Sequence, residues 1–252
     1  MKQVLTLFLF LFSFVANAQN KVLFNEATKA YNEGHYEKAT QNYLKIIENG
    51  EHSAELYYNL GNAYYKLNQV APSIYYYEKA LLLNPKDTEI TNNLVYAKNM
   101  KVDAIEEMPK TGLSKIYKNI VSPLSFDGWA TVAILFVLLF VLAYIFFYYL
   151  QYANQKRIAF ITSITSLFLG IFALIIAYIE YADFKADQPA IVFAEEVIIQ
   201  SEPNSRSKET FRLHEGTKVN VLEELNDWYK IQIIDGKTGW LVSKDIKMLR
   251  DF

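Results

Sequence analysis

Catalysis and metal binding need side chains that can donate, accept or coordinate, and this sequence is short of them. Its 252 residues include three histidines, His35, His52 and His214, and no cysteine. Without Cys there are no disulfides, thiol nucleophiles, zinc-finger ligand sets or thiolate-held iron-sulfur sites. The three His are widely separated and leave little material for His-based metal or triad chemistry. The adjacent carboxylates Glu195-Glu196 and Glu223-Glu224 could in principle work as acid and base, but at the ends of alternating apolar stretches they read as solvated strand ends. No paired-carboxylate, nucleophile-base or phosphate-loop constellation is present, so the reading is of a non-enzymatic protein without cofactor or metal. With 25 Lys+Arg against 27 Asp+Glu and a net charge of -2, there is no basic surplus to neutralise phosphates, and nucleic acid is not an expected partner.

The chain is rich in apolar surface. Hydrophobic residues make up 52% and charged residues 21%, an excess that must be localised. After Met1-Lys2-Gln3 comes an apolar run from Val4 to Val15, relieved only by Thr6 and Ser13, and then Ala16-Asn17-Ala18 before Gln19. A positive start, a core of about 12 residues and small residues at the two sites a signal peptidase reads describe a signal peptide over 1–18, whereas a spanning helix needs about 20 residues. Cleavage between Ala18 and Gln19 is expected, with the chain from Gln19 onward exported.

Residues 129–150 and 158–179 contain no charge. Each is roughly 33 Å long at about 1.5 Å per helical residue, enough for a ~30 Å hydrocarbon core, so both are expected to span a membrane. The turn between them, 151–157, carries Lys156 and Arg157 and suits a cytoplasmic loop. Export of the N-terminus then leaves both large flanks outside the cytosol. In the second span Ser166, Gly170, Ala173 and Ala177 recur at spacings of four, three and four. This stripe of small side chains is expected to pack against the first span or against a second copy of the chain.

Before the membrane the chain repeats itself. An offset of 34 brings Ala27 onto Gly61, Ala39 onto Ser73, Tyr43 onto Tyr77 and Leu60 onto Leu94. Tyr57, Leu60-Gly61, Tyr64, Ser73, Tyr77, Ala80 and Pro85 resemble the tetratricopeptide pattern, departing from it at Ser73, where Ala is usual. The expectation over 19–103 is two helix pairs and a capping helix. That is short of the three repeats usually needed, so a partner or a second copy would complete the array. By this resemblance a protein-binding concave face carries Thr28 and Tyr31, then Tyr58, Asn62 and Tyr65, then Asn92 and Tyr96. The lysines of a carboxylate clamp are absent, with Tyr58 and Glu89 in the corresponding places. Residues 104–128 read as a linker, either a plain tether or one carrying an interfacial helix around Leu113 to Val121.

After a second linker, 180–189, apolar alternation gives short strands at 190–199, 218–223, 228–234 and 238–242, with turns at Gly216, Asn226-Asp227 and Asp235-Gly236. The motifs Leu213 to Val219, Asp227 to Ile231 and Asp235 to Leu241 resemble the bacterial SH3-like domain, which implies a small all-β barrel over 190–252. Gln200 and Glu202 depart from the Arg and Gly common in its first strand. His214 is expected to be solvated in its turn.

The fold class expected is therefore a multidomain membrane protein of tetratricopeptide helical repeats, an α-helical transmembrane hairpin and an SH3-like barrel. This order resembles the BatE-type proteins of Bacteroides aerotolerance operons. The signal peptide and the two spans are expected to make a two-pass bacterial inner-membrane protein with both flanks periplasmic, and the resemblance implies a Bacteroidetes envelope protein. It also implies work beside von Willebrand factor A domain proteins and a MoxR-type ATPase. A cell-wall tether, with the SH3-like domain on peptidoglycan, is the alternative.

Overall fold

The computed structural model describes residues 19–105, 112, 121 and 123–251. The signal segment and Ala18, and all but Val121 of the expected interfacial helix, lie outside the described residues. The chain forms two compact units, one of 1–107 with 188–252 and one of 108–187.

In the first unit, helix α1, described from 19 to 32, is followed by α2 (Tyr36–Glu48), α3 (Ala54–Lys66), α4 (Val70–Leu83) and α5 (Thr88–Lys98). Local chemistry sets several of their ends. Ser53 caps α3 by accepting from the Leu56 N–H, and Asp87 caps α5 by accepting from Glu89 and Ile90. The 34-residue period also appears in the turns. Gly34 and Asn68 both take positive φ, 82° and 59°, and the residue after each bonds back to Ala30 O and Tyr64 O. Ala27, Ala39, Tyr43 and Leu60 fill the first repeat's core, while Tyr57, Ile74, Tyr77 and Ala80 fill the second's. Ser73 is buried and donates to Gly61 O at 3.0 Å, so the departure from Ala brings a hydroxyl that is satisfied on the helix it crosses.

The strands are β1 (Pro189–Val192), β2 (Glu196–Gln200), β3 (Glu209–His214), β4 (Lys218–Leu225), β5 (Trp228–Gln232), β6 (Thr238–Val242) and β7 (Ile246–Met248). Their order is β3-β2-β6-β5-β4-β1-β7, and every ladder is antiparallel. This corrects the expected barrel: the sheet is open, with β3 and β7 at its two ends. Two features accompany the open arrangement. The β2–β6 contact is a single pair, Gln200↔Trp240, beside a bulge at Ile199/Gln200. The opposite edge is engaged elsewhere, because Ile191 of β1 and Leu249 after β7 are wholly buried in the core of the second helical repeat. The first expected strand is two, interrupted at 193–195, and β3 and β7 lie where no strand was expected.

The second unit contains α6 (Phe126–Tyr149) and α7 (Ala153–Ala186), both long and apolar enough to cross a membrane. Ser125 caps α6 by accepting from Gly128 N–H. Helix α7 begins before the expected second span, so Lys156 and Arg157 lie in its first turns. The two helices pack closely along the small stripe. Ser166 and Ala173 are each 2% exposed, Ala177 is buried, and a Cβ at Gly170 would stand 3.3 Å from Phe136 Cβ and 3.6 Å from Ala133 O. Ser163 and Ser166 satisfy their hydroxyls on Phe160 O and Ser163 O of their own helix.

Candidate functional site

The first helices of the repeats, α1, α3 and α5, carry the residues expected on the concave face. A polar network joins three elements there. Asn93 Nδ2 donates to Tyr58 Oη and to Asn62 Oδ1, both at 2.9 Å. Tyr58 donates to Glu89 Oε1 at 2.6 Å, and Tyr77 of α4 donates to Asn62 Oδ1 at 2.6 Å. In the first repeat Thr28 donates to Phe24 O at 3.0 Å, which leaves Tyr43 to donate to Thr28 Oγ1 at 3.1 Å. Tyr31 meets Tyr36 edge to face at 5.3 Å, and Tyr65 is half-buried against the second core.

Asn92 and Tyr96 lie apart from this network. Asn92 is exposed and Tyr96 is 61% exposed. Asn93, one residue on, makes the contacts, and Tyr77 contributes from the second helix of its pair. Sequence reasoning missed both. Tyr77 was signalled by its match to Tyr43 at the repeat offset, but nothing in the sequence separated Asn93 from Asn92. Gln19, the other side of the expected cleavage, is an exposed residue at the described start of α1.

The electrostatics of this face disfavour anions. Burial raises the Tyr58 hydroxyl above its usual value, and its bond to Glu89 raises it further; burial likewise raises Tyr31 and Tyr77. These hydroxyls stay protonated as donors at any physiological pH. Beside them a cleft of about 420 Å³ is bordered by Glu55, Tyr58, Asn59, Asp87 and Glu89. Neutral donors and acceptors with carboxylates at one end can hold peptide amides and side chains. None of the residues bordering the cleft is cationic, in keeping with the missing clamp lysines.

A second polar cluster lies where the helical repeats meet the sheet. Glu78, 7% exposed, stands 2.8 Å from Lys98 Nζ and accepts from Lys218 Nζ at 2.7 Å. Burial pushes its carboxyl up, but the two ammonium groups more than offset this and hold it below the ordinary value. Asp103 accepts from His214 N–H and from Thr217 Oγ1, both at 2.7 Å, and lies 2.7 Å from His214 Nδ1. Burial again acts upward, and these hydrogen bonds bring the net shift down. Buried Lys79 pairs with Asp251, while Tyr75 Oη lies 2.8 Å from Asp251 Oδ2 and 3.2 Å from Met248 O. His214 is thus engaged at an interface, not solvated in a turn.

Among the described residues no group of three or more His, Asp or Glu could hold a metal ion. Residues 54–87 match the tetratricopeptide repeat family, and residues 195–247 match the bacterial SH3 domain family. The chain thus joins a helical-repeat module, two membrane-length apolar helices and an SH3-like sheet. Modules of these two kinds are in general protein-interaction modules. No curated protein matches the chain.

Proposed function

We propose that the protein is a non-enzymatic, membrane-anchored scaffold whose helical repeats bind an extended segment of a partner protein along Thr28, Tyr31, Tyr58, Asn62, Tyr65, Asn92 and Tyr96. Cleavage after Ala18 exports the chain, and α6 and α7 form a two-pass hairpin in a bacterial inner membrane with both flanks periplasmic. In keeping with the BatE-type resemblance, the partners are envelope proteins of a Bat system, with von Willebrand factor A domains and a MoxR-type ATPase among them.

The observation that carries this reading is the contact between α4 and the sheet. The two are separated in sequence by both apolar helices, yet they share buried residues and ion pairs, including Ile74, Ile191 and Glu78–Lys218. Parts that touch must lie on one side of a bilayer, and an even number of crossings returns the chain to the side it left. Held at one surface, two binding modules present a high effective concentration to shared partners.

The test is proteolysis of intact spheroplasts followed by crosslinking in native membranes and mass spectrometry. The expected result is cleavage in both flanks from outside, with envelope proteins captured through the 19–103 segment. Protection of either flank would overturn the topology. Capture of copies of the chain alone would overturn the scaffold, and sedimentation with purified cell wall would transfer the role to wall tethering.

A further inference from the structure

A stack of helix pairs leaves an apolar face open at its end, and something must cover it. In this chain two repeats and one further helix fall short of a self-sufficient array, and the face beyond α4 displays Val70, Ile74 and Tyr75, all buried. They are covered from within the chain. Ile191 and Leu249 are wholly buried in the same cluster, and Phe193 meets Tyr75 edge to face at 5.4 Å. All three lie outside the segment 195–247 that resembles an SH3 domain. The large apolar side chains of the covering surface therefore come from additions at both ends of that module, while the turn at Gly216 within it lies against Ile74 and Val70.

We propose that the sheet is the terminal cap of the helical repeats, so that the two modules form one cooperative folding unit and the β1–β7 edge serves this docking, not ligand capture. Around the apolar contact, Glu78, Lys79 and Tyr75 of α4 and Asp103 after α5 reach Lys218, Asp251, Met248, His214 and Thr217 of the sheet side. Gly216 lies so close to α4 that a Cβ there would stand 2.9 Å from Ile74 Cδ1. Successive residues of α4 serve the two surfaces in turn: Tyr77 bonds Asn62 at the concave face, and Glu78 and Lys79 bond the sheet. A loss of docking is thus felt on the helix that backs the candidate groove.

The test is hydrogen-deuterium exchange on the full chain in lipid nanodiscs, comparing the native protein with Leu249→Ala and Lys218→Ala. Both changes lie on the sheet side, so capping predicts that exchange in peptides from α4 and α5 rises about tenfold or more. The reciprocal variant Glu78→Gln is expected to raise exchange in β1 and β7. Unchanged exchange in α4 and α5 would overturn the proposal, even if Leu249→Ala unfolded the sheet itself. Lys218→Ala, on a half-exposed side chain, leaves the sheet's own core intact and tests the same point without that loss.

Discussion

Tyr77 donates its hydroxyl hydrogen to Asn62 Oδ1 across 2.6 Å, and 34 residues earlier Tyr43 and Thr28 hold the same relation at 3.1 Å. In each repeat the tyrosine ring fills the core between paired helices while its hydroxyl emerges to orient a polar residue on the concave face. The ring is therefore a core residue and the hydroxyl a positioning group, in one side chain.

Removing only the hydroxyl separates these roles. Tyr77→Phe keeps the buried ring and leaves Asn62 Oδ1 with the Asn93 donor alone. The expected loss is about 1 kcal/mol in denaturant unfolding followed by helix ellipticity. Partner crosslinking at Asn62 should weaken with the fold intact. A loss of several kcal/mol would mean that the ring itself had moved.

The repeats differ at the helix crossing. A Cβ at Gly61 would lie 2.7 Å from Tyr77 Cδ1 and 2.8 Å from Cε1, whereas the first repeat has Ala27 at the equivalent place, wholly buried. Gly61→Ala should therefore destabilise by about 1–3 kcal/mol through overpacking. Ala27→Gly should cost only about 1 kcal/mol from helix propensity. Thermal melts of the two variants side by side check the difference.

The junction between repeats and sheet should weaken in acid. Glu78 and Asp103 both titrate below their ordinary values of 4.5 and 3.8 in the folded protein. A depressed carboxyl contributes stability that is fully present above its ordinary value and is lost as pH falls through the folded one. Exchange protection in α4 and β1 should then hold steady from neutral pH to about 5 and fall below the carboxylate range. Glu78→Gln with Asp103→Asn should lower protection at neutral pH and flatten the acid fall. An acid transition unchanged by the double variant would assign it to other groups.

Much of this architecture was legible in periodicity. The 34-residue offset located the repeats because stacking demands small residues at fixed crossings, and two charge-free runs located α6 and α7 because a charge at a span centre costs about 2.5–3.5 kcal/mol. The open sheet was not legible. Alternation shows which strands have a buried face but not which strands close on one another, and β1 has all four residues buried because its outer face meets helices. Asp103 and His214, 111 positions apart, share no local pattern that could have announced their contact. Asn93 was missed for a smaller reason: one residue of helical phase, about 100°, separates an exposed amide from one that bonds two neighbours.

Two glycines separate backbone strain from docking. Gly34 and Gly216 have nearly the same φ, 82° and 80°, so replacing either with Ala carries a similar left-handed cost of about 1–2 kcal/mol. Around Gly34 nothing lies within 4 Å of the added Cβ, whereas at Gly216 it would meet Ile74 Cδ1 at 2.9 Å, Val70 Cγ1 at 3.1 Å and Lys101 Cγ at 3.3 Å. Gly216→Ala should thus cost more than Gly34→Ala by about 1–3 kcal/mol, the scale of overpacking. The excess belongs to the junction, so it should vanish in a Leu249→Ala background where that junction is already loosened, while the Gly34→Ala cost stays the same. Thermal unfolding of these variants, alone and in that background, measures the coupling. An excess that persisted unchanged there would mean that Gly216 and Leu249 do not serve one interface.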